Sequence, residues 1–329
     1  MKKQVVPVID LSPVVLGGAE SEITLVAARL GEAFKNSGFA VIVNCGVSER
    51  VINDTYQIVN KFFHLPTYAK LNHMVSAKVK TRGYLPIGIE SVAATMDGET
   101  PPDICEALVF SIKNKYQPDF NIYPLDMKYC VTRYGESMRF LGMRLLMLIT
   151  IALDLPKTFF TKAFDEPRLT LRFVNYPDMG EHTPEINQLR YGAHNDYGVI
   201  TVVRQDDAPG GLEICDKEGN WQAVPNLANG IVVNVGDLLS RWTNGIWRST
   251  LHRVSNPPNS FIGSTQRLSL VAFFDPNENT VISCLPSCHS SERPPLYDAV
   301  KAGDYIDRKL FESMNINSKL HKKNRIKMY

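Results

Sequence analysis

His194 and Asp196 are the residues in this sequence whose types and spacing most suggest chemistry. They stand two apart in Ala193-His194-Asn195-Asp196-Tyr197-Gly198. In an extended strand side chains alternate, so both project to one side and can grip a single ion while Asn195 faces away. A third ligand has to come from elsewhere in the chain. His252, in Ser249-Thr250-Leu251-His252-Arg253-Val254, follows 56 residues after Asp196 in a run that also reads as strand. Two neutral imidazoles and one carboxylate on one face of an octahedral ion leave three positions open, the arrangement with which non-haem Fe(II) binds a co-substrate and oxygen together. Zinc takes the same ligand types, so these three residues alone do not name the metal. With 7 His in the chain, a His-x-Asp pair can also arise with no metal role at all.

A second cluster follows downstream. Alternation along the strand that opens with Arg267 puts Arg267, Ser269, Val271 and Phe273 on one face, and Leu268, Leu270, Ala272 and Phe274 on the other. One face belongs to a pocket and the other to a core. A guanidinium fork beside a hydroxyl is matched to a carboxylate, because the paired N–H donors sit in fixed geometry.

His-x-Asp, a distant His and then Arg-x-Ser is an order that resembles the isopenicillin N synthase-like family of Fe(II)/2-oxoglutarate-dependent oxygenases. The likeness extends through Gly192-Ala193-His194-Asn195-Asp196-Tyr197-Gly198, Gly210-Gly211-Leu212-Glu213, Trp221, Val233-Asn234-Val235-Gly236-Asp237, Arg241-Trp242-Thr243-Asn244-Gly245 and the run around His252. It is dense over residues 169–285, and Val6-Pro7-Val8-Ile9-Asp10-Leu11 with Arg82-Gly83-Tyr84 looks like the family's N-terminal region. The resemblance implies an α+β chain with a mainly β core, a double-stranded β-helix (jelly roll, cupin-like) with flanking helices. It implies Fe(II) held by His194, Asp196 and His252. The far carboxylate of 2-oxoglutarate would be held by Arg267 and Ser269, with Tyr176 adding a bond and Asn175 beside it. In Val174-Asn175-Tyr176-Pro177, Val174 stands where plant members carry asparagine. The implied reaction consumes O2, decarboxylates 2-oxoglutarate to succinate and CO2, and oxidises an unactivated C–H bond by hydroxylation, desaturation or cyclisation.

Inward positions on the strand after the metal pair fall on Thr201, Val203 and Gln205, expected with Phe273 to touch substrate, while Arg204 faces outwards. Arg82, in a segment resembling the family's lid, is the expected partner of a substrate carboxylate, which favours a small, amino-acid-like acid. Three rivals stand beside this reading: an iron oxidase that needs no 2-oxoglutarate, as isopenicillin N synthase itself is, a zinc hydrolase, and a non-catalytic jelly-roll binding protein.

These residues need a frame. Across 329 residues, 44% hydrophobic and 21% charged, the composition is that of an ordinary folded chain with a substantial core. Val5–Ile9 and Phe39–Val43 read as strands, residues 21–36 and a run after Ser48 as helices, and residues 126–154 as a longer helix. Residues 78–102, rich in Gly, Pro, Thr and Glu, read as irregular. From Leu169 short β-branched runs alternate with turns: 169–174, 199–203, 231–235, 249–254, 268–274 and 280–284. One compact unit over 1–329 is expected, with a helix-rich part at 1–155, the jelly-roll core at 165–290, and a C-terminal helix with a loose basic tail at 291–329. A net charge of +2 gives no reason to invoke nucleic acid. No segment reads as a signal peptide or membrane span, and Cys45, Cys105, Cys130, Cys215, Cys284 and Cys288 form no metal or disulfide framework. A cytoplasmic monomer acting on a small molecule is the expectation.

Overall fold

In the computed structural model, residues 5–74, 83–93, 100–112, 126–180 and 184–325 are described, with side chains as far as 313. The strands in chain order are β1 (Val8–Asp10), β2 (Phe39–Val43), β3 (Gly83–Leu85), β4 (Glu106–Ile112), β5 (Arg168–Tyr176), β6 (Tyr191–His194), β7 (Ile200–Gln205), β8 (Gly211–Cys215), β9 (Trp221–Ala223), β10 (Ile231–Val235), β11 (His252–Ser255), β12 (Arg267–Asp275), β13 (Val281–Ile282) and β14 (Val300–Lys301). They build an eight-stranded sheet in the order β1-β2-β10-β7-β12-β5-β4-β3, a four-stranded sheet β6-β11-β8-β9, and the small pair β13-β14. Large mixed sheet, small facing sheet and flanking helices together make the jelly-roll core with helical cover that the sequence implied.

Alternation along the central strands divides the large sheet's two faces. Leu169, Leu171 and Phe173 of β5, Ile200 and Val202 of β7, and Leu268, Leu270, Ala272 and Phe274 of β12 are all buried in one apolar cluster with the helices. Helix Glu49–Phe63 buries Val51, Ile52, Thr55, Ile58, Val59, Phe62 and Phe63, one stripe at helical spacing. Ser48 occupies its N-cap position without a side-chain cap bond. Helix Met127–Ala152 buries Val131, Tyr134, Met138, Leu141, Leu145 and Ile149 along its inner side. The opposite face of the sheet, with Arg267, Ser269, Val271 and Phe273, looks toward the small sheet and is left for the site.

Helix Met127–Ala152 comes unusually close to β12 at Gly142, where an added Cβ would lie 2.6 Å from the ring of Phe274. Helix propensity alone favours alanine there by about 1 kcal/mol. The buried ring cannot step aside cheaply, so the space decides the sign. Gly142→Ala is expected to destabilise by about 1–3 kcal/mol, read as a lower urea midpoint; an equal or higher midpoint contradicts the packing.

Several sequence expectations shift. β4, a seven-residue strand between β3 and β5, escapes the sequence reading: its pattern is almost wholly buried and so does not alternate. β8 and β9 are short and escape it too, as does β3 inside the segment 78–102 read as irregular, and the strand assumed for His194 and Asp196 is β6, which stops at His194. The expected strand 280–284 contracts to Val281–Ile282, paired with Val300–Lys301. The basic tail expected to be loose is helical in its backbone to Arg325. Among the described residues no helix is long and apolar enough to cross a membrane.

Candidate active site

β6 ends on His194 and β11 begins on His252, and the two residues face each other as a ladder pair. Antiparallel pairing is therefore what brings together histidines so far apart in sequence. Asp196 is not in the strand. It lies just past the end of β6 in the loop to β7, so alternation is not what aims it. Its carboxylate is held instead by two donors on one oxygen: Thr201 Oγ1 and Asn234 Nδ2 each donate to Oδ2 at 2.6 Å. The loop is further fixed where Asp237 N–H donates to the Asp196 carbonyl at 2.8 Å.

Glycines make that loop possible. A Cβ on Gly198 would sit 2.0 Å from Asp275 Oδ1, and one on Gly236 would sit 2.3 Å from the Gly198 carbonyl oxygen. Asp275 in turn accepts from Val199 N–H at 2.7 Å, and its burial pushes its carboxyl up to about 6.

The three groups form a ligand set. His194 Nε2 lies 3.7 Å from Asp196 Oδ1 and His252 Nε2 3.8 Å from Asp196 Oδ2. One donor atom from each lies within 4.8 Å of the others. His194 Nδ1 meets the Gly192 carbonyl at 2.9 Å and His252 Nδ1 the Thr250 carbonyl at 3.0 Å. A carbonyl only accepts, so Nδ1 carries the proton in both rings and each Nε2 lone pair is left for a metal. Burial, and then the neighbouring His252, hold the His194 imidazole well below its ordinary range, which keeps it neutral. For Asp196 burial opposes the charged form, and the donors Thr201 and Asn234 favour it. Two neutral nitrogens and an anionic oxygen at this separation fit a divalent cation.

The ligand set opens onto a cavity of about 440 Å³ between the two sheets. Arg267 reaches into it almost fully buried, its Nη2 donating to Gln205 Oε1 and its Nη1 to the Ala208 carbonyl, both at 2.6 Å, with Asp206 at 3.7 Å. Ser269 is on the same face, and Tyr176 pairs with Arg267 across the ladder. Among the described residues neither hydroxyl has a protein hydrogen-bond partner, so a buried cation and two free hydroxyls line one end of the cavity. That set fits a carboxylate.

Of the residues picked from sequence, His194, Asp196, His252, Arg267, Ser269, Tyr176, Thr201, Val203, Gln205 and Phe273 all border this one cavity. Two of them are committed to other work: Thr201 holds Asp196, and Gln205 holds Arg267. Asn175 is on the opposite face, where its Nδ2 donates to Glu106 Oε1 at 2.8 Å and its Oδ1 accepts from Gln266. Strand alternation puts it there, because its neighbour Tyr176 faces in. Arg204 does leave the cavity but does not reach bulk water: it is buried, donating to the Gly230 carbonyl at 2.7 Å and facing Glu49 at 3.4 Å. Arg82 lies outside the described residues.

Sequence reasoning missed Asn234, Arg172 and Glu90. Asn234 had a signal: a polar residue in the otherwise apolar run Ile231–Val235, wholly buried, must have a partner. Because Thr201 aims the carboxylate, Thr201→Val is expected to weaken Fe(II) binding about 10-fold or more. Equilibrium titration with Fe(II) under nitrogen measures it, and wild-type affinity counts against the role.

A jelly roll with two histidines and a carboxylate at its mouth defines the class of non-haem metal oxygenases. Comparison with known proteins agrees. The 2OG-Fe(II) oxygenase superfamily matches over residues 169–276, and the "non-haem dioxygenase in morphine synthesis N-terminal" family over residues 6–126. The chain is 32% identical over 327 residues to Kihadalactone A synthase of Citrus sinensis, covering 92% of this chain and 91% of that protein. It is 30% identical over 303 residues to a Homoarginine-6-hydroxylase of Arabidopsis thaliana, covering 86% and 88%. A full-length Neurospora crassa protein, solved in complex with alpha-KG and thymine, superposes with a TM-score of 0.83 at 26% identity, covering 94% of this chain and 98% of that one. The chain belongs to the 2-oxoglutarate/Fe(II) oxygenase superfamily and is a 2-oxoglutarate/Fe(II)-dependent dioxygenase. Its cofactors are Fe(II), 2-oxoglutarate and O2. The zinc-hydrolase and binding-protein readings fall away.

Proposed function

We propose that the protein oxidises an aliphatic C–H bond of a small, amino-acid-like carboxylate, by hydroxylation, with succinate and CO2 as co-products. The observation that carries this is the division of one cavity into a dicarboxylate end, at Arg267, and a metal end, at His194, Asp196 and His252, with further space beyond. His194, Asp196 and His252 hold the iron. Arg267, Ser269 and Tyr176 hold the far carboxylate of 2-oxoglutarate, and Gln205 and the Ala208 carbonyl keep the guanidinium pointed at it. Bound iron with 2-oxoglutarate supplies the oxidising power for the C–H bond.

The chain's own residues do the rest. Val203, Val271 and Phe273 give the substrate side an apolar wall that excludes water from the reacting carbon. The 30% likeness to a Homoarginine-6-hydroxylase supports both an amino-acid-like substrate and hydroxylation as the outcome. A screen of amino acids, amino-acid-derived acids and non-amino acids for stimulated succinate release tests the substrate reading. The expected result is stimulation by amino acids with one hydroxylated product per succinate; stimulation confined to molecules with no carboxylate contradicts it.

A further inference from the structure

Most described charged side chains on the cavity wall already have a task. Asp196 belongs to the ligand set, Arg267 to the dicarboxylate end, Asp275 to the Val199 amide, and Arg168 to Asp307 at 2.9 Å. Arg172 and Glu90 remain. Arg172 stands on β5 on the same inward face as Tyr176, and Glu90 belongs to the covering segment 86–93. They meet side by side, Nη1 to Oε1 at 3.1 Å and Nη2 to Oε2 at 2.5 Å. Their side chains keep 13% and 23% exposure, so both are shielded but still reachable from the cavity.

The location gives the pair meaning. The Arg172 guanidinium lies 5.4 Å over the Tyr191 ring, and that ring meets His194 edge-on at 4.8 Å. The pair is thus one aromatic ring away from a metal ligand. Nearby Val109, Val174 and Val271 are apolar, and an ion pair among apolar side chains gains little stability over hydrophobic residues of the same volume. A ligand that brings both an anion and a cation can therefore take over the two halves of the pair.

We propose that Arg172 and Glu90 are the polar anchor for the substrate and select a zwitterionic α-amino acid head, the carboxylate on Arg172 and the ammonium on Glu90. This rests on the amino-acid reading above and deepens it. The guanidinium fork matches a carboxylate in bidentate geometry, while Glu90 accepts from an ammonium. Because the pair is net neutral, a zwitterion leaves neither charge unpaired. A simple acid sets its anion against Glu90, and a simple amine leaves Arg172 without its partner. With Tyr191 between the pair and His194, the oxidised carbon belongs to the substrate's side chain and not to its α position.

The test uses the full chain loaded with Mn(II), which does not turn over, and 2-oxoglutarate, with binding read by calorimetry. The probes are L-homoarginine, L-lysine and L-leucine, each beside its amide and its analogue lacking the amino group. Wild type is expected to prefer at least one intact amino acid over both of its analogues. Arg172→Met and Glu90→Gln should each weaken that amino acid roughly 30-fold or more, and Glu90→Gln should tighten the analogue lacking the amino group, whose anion no longer faces a carboxylate. The double exchange Arg172→Glu with Glu90→Arg keeps an ion pair but reverses its polarity. If the pair only fastens the cover, the exchange restores binding; that result overturns the proposal, and continued loss with restored thermal stability supports it. Normal 2-oxoglutarate binding with no preference for any intact amino acid overturns this inference alone. Failure to bind 2-oxoglutarate overturns the oxygenase site beneath it.

Discussion

Asp196→Ala is expected to abolish iron-dependent turnover and to lower Fe(II) affinity by about 100-fold or more, the upper end of what is lost even when a residue supporting a ligand is removed. The carboxylate is the only anion in the ligand set, so the substitution leaves two neutral imidazoles to hold a divalent cation. It also strips Thr201 Oγ1 and Asn234 Nδ2 of the oxygen to which both donate. Folding should survive, since the loop keeps its backbone bonds from Asp237 and to Asp275. Circular dichroism and thermal melting check that the variant is folded, and metal titration with succinate assay checks the loss. A folded variant with wild-type turnover contradicts the assignment of the ligand.

The second large effect is at Arg267. Truncating one side of a buried, charge-assisted pair costs about 2–5 kcal/mol, which corresponds to roughly 30-fold to several thousand-fold in affinity. Arg267→Ala should therefore raise the KM for 2-oxoglutarate by at least ~30-fold. The loss should fall on the co-substrate and leave Fe(II) affinity near wild type, because Arg267 touches none of the three metal ligands and is fastened by Gln205, the Ala208 carbonyl and Asp206. Arg267→Lys keeps the charge without the fork and should recover only part of the loss. An unchanged KM in Arg267→Ala contradicts the anchor.

Much of this site was legible in the sequence because strand alternation is a strict rule. It separated Arg267, Ser269 and Phe273 from Leu268 and Phe274, and the structure keeps that division along all of β12. Applied to β5 from Tyr176, the same rule would have set Arg172 in the cavity and turned Asn175 away from it. Asp196 shows the limit: it stands near His194 for a reason alternation does not supply, since a loop bent by Gly198 and two donors from β7 and β10 aim it. Thr201 and Gln205 were placed on the right surface but not in the right role, because a strand pattern gives the face and not the hydrogen-bond partner. β4 was invisible for a related reason. A strand covered on both faces has no polar beat to read.

Everything rests on one ferrous ion and one 2-oxoglutarate sharing a single cavity. Anaerobic addition of Fe(II) and then 2-oxoglutarate, followed by visible absorption, tests this most directly. The wild-type chain should develop the metal-to-ligand charge-transfer band of chelated 2-oxoglutarate, Asp196→Ala should not, and Arg267→Ala should need far more co-substrate to reach it. No band in the folded wild-type chain at saturating Fe(II) and 2-oxoglutarate would contradict the account.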